Sequence, residues 1–254
     1  MGVIHAFMTS PNIKEQAIDL AHGGKLIFFT EDVSNAPTIA NDVDALLHWL
    51  GVPKGFTVYL WWRDDPRHIK VHEWPSKTTV NGGWAVPGIP EVFIYRSEEY
   101  DRVLIHEVIH AMKWDWTMPS TPLPCWGLGP NAQVSPHLCE AWTELYAEWL
   151  WCGWHNVPWK TQRIWQDHQA VQILARQGTR SWSENTNVFA YYILKAALAP
   201  HMEFLWLFGN GMTDTERTNV LCKLTSPELA RLRVKVQHTP AKAISMRMSV
   251  ETKK

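Results

Sequence analysis

The sequence predicts an α+β protein: a small mixed sheet with its helices, a helix carrying a His-Glu-x-x-His motif, and a mainly helical C-terminal lobe. Short apolar runs of strand length (KLIFFT, FTVYLWW, EVFIYR) alternate with helical patterns up to residue 96. Only helix-period segments follow residue 135. Between them lies an irregular stretch, 115–135, with Pro119, Pro122, Pro124 and Pro130, long enough to act as a lid or binding loop. The expected layout is a mixed lobe over 1–114, this loop over 115–135, a helical lobe over 136–240 and a loose polar tail over 241–254.

Taken in order, Ser10-Pro11 before NIKEQAIDLAH and Gly23-Gly24 predicts a capped helix over 12–22. Residues 25–30 read as a buried strand, 37–50 as an amphipathic helix stopped by Gly51, and 56–62 as a second strand. That order suits a crossover joining two parallel strands. A third strand is expected over 68–74. Asn81-Gly82-Gly83 is turn chemistry, and 91–96 is a strand leading into the motif helix. Ser97 is the expected N-cap, with Glu98, Glu99 and Asp101 complementing the helix dipole. Either 81–86 or 91–96 could be an edge strand that pairs with an extended peptide. Beyond the loop, Ser135-Pro136 opens a strong helix, followed by segments over 162–176, 185–198, 214–224 and 227–236.

The chain has 254 residues, 46% of them apolar, and a net charge of −1. That is ample for one core with an added helical lobe, and gives no electrostatic pull towards nucleic acid. No run of 18 apolar residues suggests a membrane span, and MGVIHAFMTS lacks the pattern of a secretory signal. Four cysteines (Cys125, Cys139, Cys152, Cys222) at scattered spacings read as mostly reduced thiols in a cytosolic setting. Sixteen tryptophans suit core packing and also leave room for a Trp-rich surface towards a protein partner.

The chemistry concentrates in LIHEVIHAM. His106 and His110 are four residues apart, so a helix puts both imidazoles on one face, where they can reach one metal ion. Glu107 follows the first of them, placed to take a proton from water as a general base. Val103, Leu104, Ile105, Val108, Ile109 and Met112 make the helix apolar nearly all round, and polar groups buried in such a helix need a partner such as zinc. A catalytic zinc takes three protein ligands. Glu140, thirty residues after His110 on a helix, is the leading third ligand. Glu144, one turn on, would accept the second N–H of a ligand histidine. Asp115 and His137 are alternatives, Cys125 could cap the metal as a thiolate, and Lys113 and Trp116 break the metzincin spacing.

H-E-x-x-H followed after some thirty residues by E-x-x-x-[DE] resembles the gluzincin branch of the zincin metallopeptidases. The likeness covers His106 to Glu144 and the strand before it, with Glu144 where the family usually has Asp. The segment from Asn81 through IYRSEEYDRVLIHEVIHAM, with CEAWTELYAEWL and TNVFAYYILKAAL, also looks like uncharacterised zincin-like proteins of large DNA viruses. The resemblance implies a zincin-like fold and a zinc-dependent peptidase acting on a peptide or protein substrate, cytoplasmic or virion-associated. It also implies a Tyr or His oxyanion donor from a later helix. Tyr191 is the leading candidate, with Tyr192, His168 and His155 as others. The rival expectation is a zincin-fold structural or interaction protein, a virion component, that binds zinc with little turnover.

Overall fold

The computed structural model describes residues 12–115, 124–128, 132–133, 138–178, 182–205 and 212–251. It is a mixed α+β protein with a small mixed sheet, and the chain divides into two compact units: 1–66 with 82–114, and 67–81 with 115–254.

The first unit is built on five strands, β1 (Lys14–Asp19), β2 (Lys25–Thr30), β3 (Thr57–Trp61), β5 (Gly83–Ala85) and β6 (Glu91–Ile94), in the order β1-β2-β3-β6-β5. β2, β3 and β6 run parallel, and β1 and β5 are antiparallel to their neighbours. Helix α1 (Ala36–Trp49) makes the β2–β3 crossover. Leu26, Phe28, Val58, Leu60, Val92 and Ile94 are fully buried on one sheet face, as the period-2 pattern requires. The other face carries an aromatic ladder in which Phe93 stacks on both Trp84 and Tyr59, with ring centroids 4.0 Å and 4.5 Å away.

The helix expected over 12–22 is instead β1. Gln16, Ile18 and Leu20 turn inward while Ala17 and Asp19 face out, a strand alternation that the Ser-Pro helix signal outweighed in the sequence. The hairpin closes through Gly23, whose φ of 98° suits glycine, and through Leu20 N–H donating to the Gly24 carbonyl at 2.9 Å.

The second unit is mainly helical: α4 (Leu138–Trp154), α5 (Trp159–Gln177), a π-helical turn Phe189–Leu194 continuing into α6 (Lys195–Leu198), α7 (Met202–Leu205) and α8 (Asp214–Val236). Trp126, Leu145, Ile173, Phe189, Ile193 and Leu232 lie in its core. The expected break between 224 and 227 is absent, and α8 runs through Pro227. Hydroxyls serve the turn before the proline: Thr225 Oγ1 donates to the Leu221 carbonyl and Ser226 Oγ to the Cys222 carbonyl, each at 2.8 Å.

Three further expectations change. The strand over 68–74 shrinks to β4 (His68–Ile69), which pairs with β7 (Ile244–Ser245) rather than with the five-stranded sheet. Segment 67–81, which includes the short α2 (Lys77–Val80), therefore belongs to the second unit, where Thr186 Oγ1 donates to Asn81 Oδ1 at 2.9 Å. The tail is not loose where it is described. Met246, Met248 and Ser249 are buried, and a row of α5 glutamines holds its backbone: Gln162 Nε2 donates to the Met248 carbonyl at 2.8 Å and Gln169 Nε2 to the Ser245 carbonyl at 3.1 Å. Finally, Cys125 and Cys222, 97 residues apart, form a disulfide, while Cys139 and Cys152 are free thiols. Within the 115–135 loop, Cys125 and Trp126 are tied to α8 by that bond and by Arg233 Nη2 donating to the Trp126 carbonyl at 2.6 Å.

Candidate metal centre

The motif helix is α3 (Tyr100–Ala111). Its start differs from expectation: Glu99, with φ 56°, is the N-cap, and Ser97 Oγ donates to the Arg63 carbonyl at 2.8 Å. At its end Lys113 takes the left-handed conformation at φ 55°. Its N–H donates to the His110 carbonyl at 3.0 Å and that of Trp114 to the Ile109 carbonyl at 2.9 Å, closing a Schellman cap. Val103, Leu104, Ile105, Val108 and Ile109 are buried, and so are His106 and Glu107, while His110 is half-buried.

The four-residue spacing brings His106 Nε2 and His110 Nε2 to 3.1 Å, with the rings at 73°. Two tetrahedral zinc ligands at ordinary zinc–nitrogen distances stand ~3.3 Å apart, so the pair fits one ion; the same distance also suits an N–H···N hydrogen bond between the rings. Gly83 in β5, and Gly82 just before it, stand close against the motif helix. A Cβ on Gly83 would stand 2.8 Å from Val103 Cγ1, 3.0 Å from Glu107 Cγ and 2.6 Å from the Phe93 carbonyl oxygen. On Gly82 it would stand 2.7 Å from Val103 Cγ2. The Gly-Gly pair read in the sequence as turn chemistry is thus what lets α3 lie close against β5.

Glu140 lies in the first turn of α4 and is half-buried. Tyr191 Oη donates to Glu140 Oε2 at 2.8 Å. The adjacent tyrosines are divided by the π-helical turn: Tyr192 is fully buried and donates to the Met246 carbonyl at 2.8 Å. One ligand atom from each of His106, His110 and Glu140 lies within 4.8 Å of the others, so these three form a group that could hold a metal ion. The donor set, two imidazoles and a carboxylate, suits zinc.

Glu144 is buried, with its Oε1 4.0 Å from Lys195 Nζ. Among the described residues Asp115 is not part of the ligand group, and His137 lies outside them. Cys125 is in the disulfide and has no thiolate to offer a metal. His155 packs on Trp151 and His168 on Trp165, at centroid distances of 4.7 Å and 6.0 Å. Burial, with the negative charges of Glu140 and Asp115 adding to it, pushes the Cys139 thiol up to about 11, so it stays protonated.

Sequence reasoning passed over Lys195, which is fully buried and hydrogen-bonded to the equally buried Glu148. The signal was present: Lys195 is the one charge in the apolar run VFAYYILKAAL. No family model, no curated protein and no solved structure matches this chain.

Proposed function

We propose that this protein is a zinc-dependent metallopeptidase of gluzincin type. The observation that carries the reading is the His106–His110–Glu140 group, with one ligand atom from each residue within 4.8 Å of the others. It is supported by the burial of Glu107 on the same helix as the two histidines.

Zinc bound there would act as a Lewis acid on a carbonyl and draw the pKa of a water towards neutrality. Glu107 takes the proton of the attacking water and passes it to the leaving amine. Tyr191, now donating to Glu140, supplies a hydroxyl that turns to the developing oxyanion. β5 is the last strand of its sheet among the described residues, so its outer backbone groups can pair with an extended substrate by strand addition. Trp84, Val86 and Ile89 on and after it are exposed and would meet the substrate's side chains.

The test is Glu107→Gln, assayed on a peptide library against the native chain at equal zinc content. The expected result is retained zinc with hydrolysis reduced by about 10²- to 10⁴-fold, the usual worth of a general base. A native chain that holds zinc and cleaves nothing would favour the interaction-protein reading. A variant that cleaves as well as the native chain would remove Glu107 from the mechanism.

A further inference from the structure

Helix α4 carries Glu140, Glu144 and Glu148 at four-residue spacing, so they share one face. Such a run reads as a solvated acidic stripe, yet Glu144 and Glu148 are 1% and 0% exposed. Carboxylates so deeply buried need partners. A single cation meets both. Lys195, 0% exposed, hydrogen-bonds Glu148 and places Nζ 4.0 Å from Glu144 Oε1. Around it Gln166 Nε2 donates to Glu148, the Tyr192 ring centroid lies 5.5 Å from Nζ, and the Met248 sulfur lies 3.6 Å from it. One turn before Lys195, Tyr191 donates to Glu140. One short segment, 191–195, therefore meets all three acids, and it includes most of a π-helical turn, a form that recurs at functional sites.

Buried ion clusters are weak devices for stability, since apolar replacements of the same shape often cost nothing. What a buried hydrogen-bonded cluster does fix is geometry. Resting on the metallopeptidase reading, we propose that Lys195 is a positioning residue of the metal centre: acting through Glu144, it holds the face of α4 that presents Glu140 to the ion. Glu148 and Gln166 are the groups that keep Lys195 in the interior.

The test compares the full-length native chain with Lys195→Met and with the double variant Lys195→Met/Glu148→Met, which replaces the ion pair by apolar side chains of similar length. Two quantities are read for each: the melting temperature of the metal-free chain, and the zinc dissociation constant by competition with a chromophoric chelator. A residue that only satisfies Glu148 predicts native zinc affinity in the double variant. Our inference predicts a double variant that folds and binds zinc about tenfold or more weaker, the usual effect of losing a group that supports metal ligands. It also predicts that adding Glu144→Gln weakens binding no further, because Lys195 acts through that residue. Native affinity in the double variant overturns the inference. Should the double variant not fold, Lys195→Met decides on the same two readings, and if neither folds, Lys195 is a residue of the fold alone and the inference falls. A native chain that takes up no zinc overturns the proposed function as well; zinc bound equally by native and variant chains overturns this inference alone.

Discussion

Gly83→Ala is the sharpest test of how the motif helix is seated. The added methyl would stand 2.6 Å from the Phe93 carbonyl oxygen, 2.8 Å from Val103 Cγ1 and 3.0 Å from Glu107 Cγ. Carbon–carbon contacts are comfortable at about 3.5–4.0 Å, so β5 and α3 must part by several tenths of an ångström. The backbone oxygen of a paired strand cannot turn aside as a long side chain can. Overpacking of this kind costs about 1–3 kcal/mol. Loss of glycine's freedom in the unfolded chain returns about 0.4–1 kcal/mol. The net expectation is a destabilisation of about 1–2 kcal/mol, or about 2–8 °C in melting temperature for a chain of this size. Differential scanning calorimetry of the metal-free protein reads it directly. Val103→Ala should recover part of the loss when combined with Gly83→Ala, a coupling expected between touching residues. Peptide hydrolysis should fall further than stability does, since displacing a general base by a fraction of an ångström is costly. A Gly83→Ala chain with native melting temperature and native activity would refute the argument that this glycine sets the height of Glu107.

Tyr191→Phe removes the hydroxyl that donates to Glu140 at 2.8 Å; zinc affinity should drop about tenfold, read by chelator competition, with little change in the fold. Burial raises the Glu148 carboxyl to about 7, with Lys195 opposing and the Glu144 charge adding. Because the folded chain holds that proton more tightly than the unfolded one, the gain is complete below the ordinary value of 4.5 and is lost as pH rises through about 7. Urea unfolding between pH 5 and 8 should therefore show a decline in the native chain that is smaller in Glu148→Gln. Reduction of the Cys125–Cys222 disulfide, which closes a separation of 97 residues, should cost about 2–4 kcal/mol, seen as a lower melting temperature in reductant. An unchanged melting temperature would mean the bond adds no constraint.

The parts of the fold set by local period were legible in the sequence. The β2–α1–β3 unit and α3 could be read because their apolar spacing, length and stop signals agree. The His106–His110 pair follows from helix geometry, and Glu140 from the need for a third ligand on a nearby helix. What could not be read depends on partners far away in sequence. β1 carries a helix-start signal but is held by its pairing with β2. β4 and β7 are two residues each and exist only as a pair, and the tail is ordered by glutamines on α5 whose role no local pattern announces. The disulfide joins cysteines whose spacing says nothing. Lys195 was the exception: a lone charge in an apolar helix is itself a sign of a buried partner.

The most direct test of the central claim is the zinc content of the purified, untagged native chain after exhaustive dialysis, beside that of Glu140→Ala. The account predicts about one zinc per native chain, as a three-ligand site should retain, and a large loss of it in the variant. A native chain that holds no zinc and takes up none when it is added would contradict the account, leaving His106 and His110 as a hydrogen-bonded pair on a buried helix.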